Sequence, residues 1–135
     1  MVALVLLVLI MVNFYHSYWS GGYHGKPSQY VIDMYKLSCL YTKKWYGKCN
    51  LITDNKSLEL FKDIPYTKVS TELDSLENIK TPNWALGKIL SYKILSERKE
   101  QFVHIDYDVF FLKKIPIEKF DSDVLVQSLE ENVYG

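Results

Sequence analysis

The feature that most constrains the fold is an order of segments: short apolar runs of strand length recur along the chain, separated by stretches long enough for a helix. Antiparallel strands can be joined by a two-residue hairpin, whereas parallel strands need a crossover of a dozen or more residues, usually helical. The first run, Met11 to Tyr15, leads into "HSYWSGGYHGKPS", a loop rich in Gly, Ser and aromatics. Pro27 or Ser28 can start a helix reaching about Lys43, with Tyr30, Val31, Met34, Leu37, Ser38 and Tyr41 along one face. A second strand, Cys49 to Thr53, follows the turn at Gly47, and Asp54 or Asn55 can cap a short helix over "KSLELFKD". Pro65 separates that helix from a third strand in "TKVST", and the polar stretch Glu72 to Thr81 reads as a loop. Pro82 opens the clearest helix, "NWALGKILSYKILSERK", with Trp84, Ile89, Tyr92 and either Ile94 or Leu95 toward a core and Gly87 weakening it slightly. "QFVHID" gives a fourth strand and "DVLVQS" a fifth. Strands alternating with helices imply an α/β domain: a mostly parallel, doubly wound sheet with helices on both faces. Ligands of such sheets sit at the carboxyl ends of the strands, where the loops His16 to Gly25, Thr53 to Asn55 and Asp106 to Asp108 fall.

At 135 residues the chain is the size of one domain. Its 16 basic and 16 acidic residues cancel and form no basic run, which excludes the electrostatic footprint of a nucleic-acid binder. The 11 tyrosines and 3 tryptophans are a heavy aromatic load, suited to a core, a ligand platform or an interface. Cys39 and Cys49 lack metal-ligand spacing and read as reduced, buried thiols of a cytosolic protein, with a bridge left open.

Residues 1–11 divide from the remaining 12–135 by composition, because "MVALVLLVLIMV" is wholly apolar. A helix of twelve residues covers roughly 18 Å, short of the ~30 Å hydrocarbon core, and no Lys or Arg precedes the run as a signal peptide requires. Residues 1–11 therefore read as an extension ahead of Met11 or as the start of the first strand, with membrane association open but not required.

The chemistry concentrates in "FVHIDYDVFF". Residues two apart on an extended chain project to the same side, so Asp106 and Asp108 are expected to point together, and hard divalent cations take such paired carboxylates. Asp121 and Asp123 repeat the spacing but flank a serine before a strand and read as a turn. His104, inside the fourth strand, reads as a satisfied sheet histidine, and His16 and His24 show no metal-ligand spacing.

The whole order, from the aromatic, hydroxyl-rich first loop through "ITD" and "WALGKILSYKIL" to "HIDYDVFF", resembles the nucleotide-sugar-binding half of GT-A fold glycosyltransferases, the sugar-transferase group with a DXD motif. The resemblance covers roughly residues 12 to 128 and implies a Rossmann-like GT-A fold, here partial because such enzymes normally continue well past the motif. It implies a nucleotide diphosphate sugar donor, with Asp106 on the ribose and sugar side and Asp108 chiefly on a Mn2+ or Mg2+ ion at the diphosphate. Lys88 matches a basic position near the diphosphate, Tyr18 or Trp19 could stack on the base, and Ser17 or Ser20 could bond its edge. Asp54 could reach the nucleoside, although a helix N-cap explains it as well. The implied acceptor is a glycan or surface polysaccharide, and the implied location is cytoplasmic, with the inner face of the membrane open. Two alternatives stand beside this: a catalytically incomplete donor-binding fragment or interaction module, and a haloacid dehalogenase-like phosphatase, which also carries D-x-D-x-V after an apolar strand.

Overall fold

The structure, a computed structural model, describes residues 12–23, 25–81 and 83–120. The apolar run 1–11, His24, Pro82, Asp121, Asp123 and the expected fifth strand lie outside the described residues. Among the described residues seven regular elements alternate: β1 (Asn13–Ser17), α1 (Gln29–Tyr46), β2 (Asn50–Ile52), α2 (Leu58–Phe61), β3 (Val69–Ser70), α3 (Trp84–Glu97) and β4 (Phe102–His104). The four strands form one sheet in the order β3-β2-β1-β4, and every pairing is parallel, with Tyr15 opposite Asn50, Phe14 opposite Val103 and Leu51 opposite Val69. The chain builds outward from β1 to β3, then returns through α3 to place β4 on the other side of β1. Order therefore reverses between β1 and β4, the topological switch point where open α/β sheets hold their ligands.

Alternation along the strands divides the core. Tyr18, Tyr35, Cys39, Cys49, Leu51, Phe61 and Ile64 pack on the face covered by α1 and α2. Trp19, Ile52, Leu73 and Leu95, with Tyr15, Leu86 and Leu90 against them, pack on the face covered by α3. Both long helices have a cap that their sequence supplies. The Ser28 hydroxyl accepts from the Val31 amide at the start of α1, Gly47 ends that helix at φ 80°, and Asn83 caps α3 through the Ala85 amide.

The buried faces of both long helices agree with those expected at Ser38 and Leu95 and differ elsewhere. In α1 the buried residues are Tyr35, Ser38, Cys39 and Thr42, whereas Tyr30 and Leu37 are exposed. In α3 they are Gly87, Ser91 and Leu95, whereas Trp84, Ile89 and Tyr92 face outward, the first two 65% and 59% exposed. Small side chains mark the seams because they let the helices approach the sheet. At Gly87 a β-carbon would lie 2.8 Å from Cβ of Trp19, so glycine is a packing requirement there and not merely a weak point in the helix. The segment expected as a polar loop contains a 3-10 helix, Glu72–Leu76, whose Leu73 is fully buried. Cys39 and Cys49 are both free and buried; their mutual hydrogen bond, with burial, holds the Cys49 thiol protonated. Among the described residues no helix is long and apolar enough to cross a membrane.

Candidate functional site

The carboxyl ends of β1 and β4 and the first turn of α3 enclose a cavity of about 160 Å3. Ser17, Tyr18 and Trp19 reach it from β1, Lys88 from α3, and Asp106 and Asp108 from the segment after β4. The two acids do not alternate along a strand, as the sequence suggested. β4 ends at His104, and the Val109 amide donates to the Asp106 carbonyl at 3.0 Å, closing a β-turn with Asp106 first and Asp108 third. Both carboxylates nonetheless border the same cavity, because the turn folds the chain back over the switch point.

Electrostatics distinguish the two. Lys88 Nζ lies 2.5 Å from Asp106 Oδ1 and also sits over the Trp84 ring, 5.9 Å from its centroid. Asp108 is exposed and has no ion-pair partner among the described residues. Next to this pair, His104 Nε2 is 2.7 Å from Ser17 Oγ, and its Nδ1 is 3.8 Å from Asp106 Oδ1. Burial, reinforced by the Lys88 charge, pushes His104 down to about 4, so the ring is neutral near pH 7. Ser17, His104 and Asp106 thus have the residue types of a hydrolytic triad without its geometry: 3.8 Å is too long for the orienting hydrogen bond, and Lys88 already engages the acid.

The aromatic lining is mostly structural. Trp19 is buried among Ile52, Leu73 and Leu95, with an edge on the cavity. Tyr18 is buried too, and its ring stacks on Tyr23 at 5.6 Å and 11°. Tyr23 is the partly exposed member of that pair and forms the rim together with Trp84. Tyr35 reaches up from α1, donates its hydroxyl to the Ser17 carbonyl at 3.0 Å, and stacks at 5.0 Å on Tyr107, the residue between the two acids.

Asp54 is not brought to this cavity. It borders a second hollow of about 420 Å3 beside the ends of β2 and β3. One of its oxygens accepts from the Ser57 amide and hydroxyl at 3.1 and 2.6 Å, and the other from those of Ser20 at 3.1 and 2.5 Å. Four internal donors fill the carboxylate, so its place in the fold is that of a cap and of a tie between the β1 loop and the turn after β2. Ser20 is committed to that tie.

Sequence reasoning missed Tyr23, Tyr35, Trp84, Gly87, His104 and Tyr107 as lining residues. His104 had a signal: it stands two residues before Asp106, at strand spacing, and so reaches toward the same edge. Among the described residues no group of three or more His, Cys, Asp or Glu side chains is placed to hold a metal ion.

Fold and site together define a doubly wound α/β protein with a charged, aromatic-rimmed cavity at its switch point. The chain belongs to a family of unknown function, DUF6734, whose model matches residues 14–134. No curated protein and no solved structure matches it.

Proposed function

We propose that the chain is the donor-binding part of a GT-A-like glycosyltransferase, taking a nucleotide diphosphate sugar at the switch-point cavity and serving transfer of the sugar to a glycan or surface polysaccharide. The observation that supports this most is convergence: one cation, two carboxylates and an aromatic rim meet where the strand order reverses, although they come from three separate parts of the sequence. At about 160 Å3 the cavity is smaller than the roughly 300–1,000 Å3 usual for a drug-sized ligand. It suits a diphosphate, with the base and sugar extending past Tyr23 and Trp84.

In sugar transfer the bond between the anomeric carbon and a diphosphate oxygen breaks, and negative charge grows on the departing diphosphate. Lys88 would meet that charge by exchanging one anionic partner, Asp106, for another, since its ammonium lines the cavity. The donor set fits a hard divalent ion only in part. Asp106 and Asp108 would hold Mn2+ or Mg2+, with substrate oxygens and water as the remaining ligands, as is usual for such ions. When bound, the ion supplies further neutralisation of the diphosphate. Ser17 and neutral His104 offer hydrogen bonds to the donor from the cavity floor. A location at the inner face of the membrane would fit a surface-polysaccharide acceptor.

Calorimetric titration of the full chain with UDP and with GDP, in the presence and absence of Mn2+, tests the proposal. Binding that strengthens with the metal is expected. A folded chain that binds neither nucleotide with Mn2+ present would overturn it.

A further inference from the structure

Beneath the acid-bearing turn runs a chain of buried hydrogen bonds that the proposed donor site does not itself use. His16 on β1 and Ser38 on α1 are both fully buried, with His16 Nε2 2.9 Å from Ser38 Oγ. Ser38 Oγ lies 2.6 Å from the Val109 carbonyl, and His16 Nδ1 lies 2.7 Å from the Tyr66 hydroxyl. Only one arrangement of protons satisfies all three contacts with a neutral ring. A carbonyl can only accept, so the Ser38 hydroxyl donates to Val109. Its oxygen is then the acceptor for Nε2–H of His16, and Nδ1 accepts the Tyr66 hydroxyl. The Val109 residue whose carbonyl receives this bond is the one whose amide closes the turn on Asp106. Tyr35, one helical turn before Ser38, stacks on Tyr107 in the middle of the same turn. The floor of α1 therefore grips the turn twice, at Tyr107 and at Val109, and the strand histidine fixes the hydroxyl that makes the second grip.

We propose that Ser38, oriented by His16, is a positioning residue that sets the height and angle of the Asp106–Val109 turn and so the joint aim of its two carboxylates; this rests on the donor-site reading above. Two exposed acids on a turn have little packing of their own to hold them, so the backbone anchor decides how well they act together. The hydroxyl touches no ligand, and its loss leaves the apolar contacts of α1 in place.

The test compares Ser38→Ala and the near-isosteric, weakly donating Ser38→Cys with the wild-type chain. Amide hydrogen exchange without ligand reads the turn directly. Exchange should quicken at Tyr107, Asp108 and Val109 in the order wild type, Cys, Ala, while β1 and β2 keep their protection. With UDP, the gain in affinity conferred by Mn2+ should fall roughly tenfold in Ser38→Ala, the size expected for one lost anchoring hydrogen bond, while binding without metal stays within twofold. Unchanged exchange across the turn in a folded Ser38→Ala overturns the proposal, whatever the ligand data. Quickened exchange with an undiminished Mn2+ gain also overturns it, because the turn would then be anchored without consequence for its acids. If wild type itself binds no UDP while the exchange order holds, the anchoring of the turn stands and the donor-site reading fails.

Discussion

The two hollows on the carboxyl edge of the sheet invite comparison. The one beside β2 and β3 encloses about 420 Å3 and the one between β1 and β4 about 160 Å3, yet the chemistry runs opposite to the volumes. In the larger hollow the two aspartates are occupied: Asp54 has four internal donors, and Asp74 accepts from the Asn55 amide at 2.8 Å and its side-chain nitrogen at 2.5 Å, which leaves only the exposed Glu77 at the margin. In the smaller one Asp106 holds only a solvent-accessible lysine and Asp108 is exposed. A carboxylate whose lone pairs are taken by the backbone stabilises a loop, whereas one that is free or paired to a mobile ammonium can exchange partners with a ligand.

The largest effect expected from breaking this contrast is on stability. Asp54→Ala removes four hydrogen bonds at a buried position and strands the Ser20 and Ser57 donors, costing about 3 kcal/mol in urea denaturation. Nucleotide affinity of the folded variant should stay unchanged. A variant of normal stability that no longer binds nucleotide would reverse the comparison and make Asp54 a ligand contact.

At the smaller hollow the sign is opposite. Asp108→Asn keeps size and shape at an exposed position, so denaturation should move by less than about 0.5 kcal/mol. The Mn2+-dependent part of UDP binding should fall roughly a hundredfold or more, as removal of a carboxylate metal ligand implies. Equal calorimetric affinities for the two proteins would remove Asp108 from the site.

Acid should weaken the β1–β4 side through its histidines. Burial pushes His16 down to about 3 and His104 down to about 4, both below the ordinary value near 6.5. The unfolded chain therefore binds more protons below about pH 6.5. The stabilising contribution is present in full above that pH and is lost as pH falls toward the folded-state values, on the order of 2 kcal/mol per histidine by pH 4.5. Most of the pH window from 7 to 4.5 lies above the range in which Glu72, held low by Arg98, loses its contribution, since that loss begins only near the ordinary glutamate value. Urea midpoints across it should decline steadily. A flat profile would mean that the rings take up protons inside the fold, and that the proton arrangement derived for His16, Ser38 and Tyr66 is wrong.

Much of this architecture was legible in the sequence because element order is set by spacing and punctuation: Ser28, Gly47, Asp54 and Asn83 stand where chains start and stop helices. The helix faces were not, because apolarity was a misleading guide to what is buried. Thr42 and Ser91 are buried because each satisfies its hydroxyl within its own helix, on the Ser38 and Gly87 carbonyls, and small volume then lets the helix sit close. Tyr30, Trp84 and Ile89 are too large for those seams and face out. At the site, Asp106, Asp108 and Lys88 could be named from the sequence. Their pairing could not, since it depends on a turn closed by Val109 and on how closely Gly87 lets α3 approach.

The smallest expected effect is also the most discriminating. On the donor-site proposal Lys88 would play two opposed parts: its ammonium would attract a diphosphate, and it occupies the carboxylate that a metal would share. Lys88→Ala should therefore weaken UDP binding without metal about tenfold, the scale of one charge-assisted contact. In the same variant Asp106 is released, so Mn2+ itself should bind a few-fold more tightly. The pair is partly exposed, and solvent limits both changes. A lysine that only decorates a solvated helix face would move neither quantity. One that acts only as a structural partner of Asp106 would loosen the turn and weaken both together. Opposite signs in the two titrations are the result that only a cation shared between substrate and carboxylate produces.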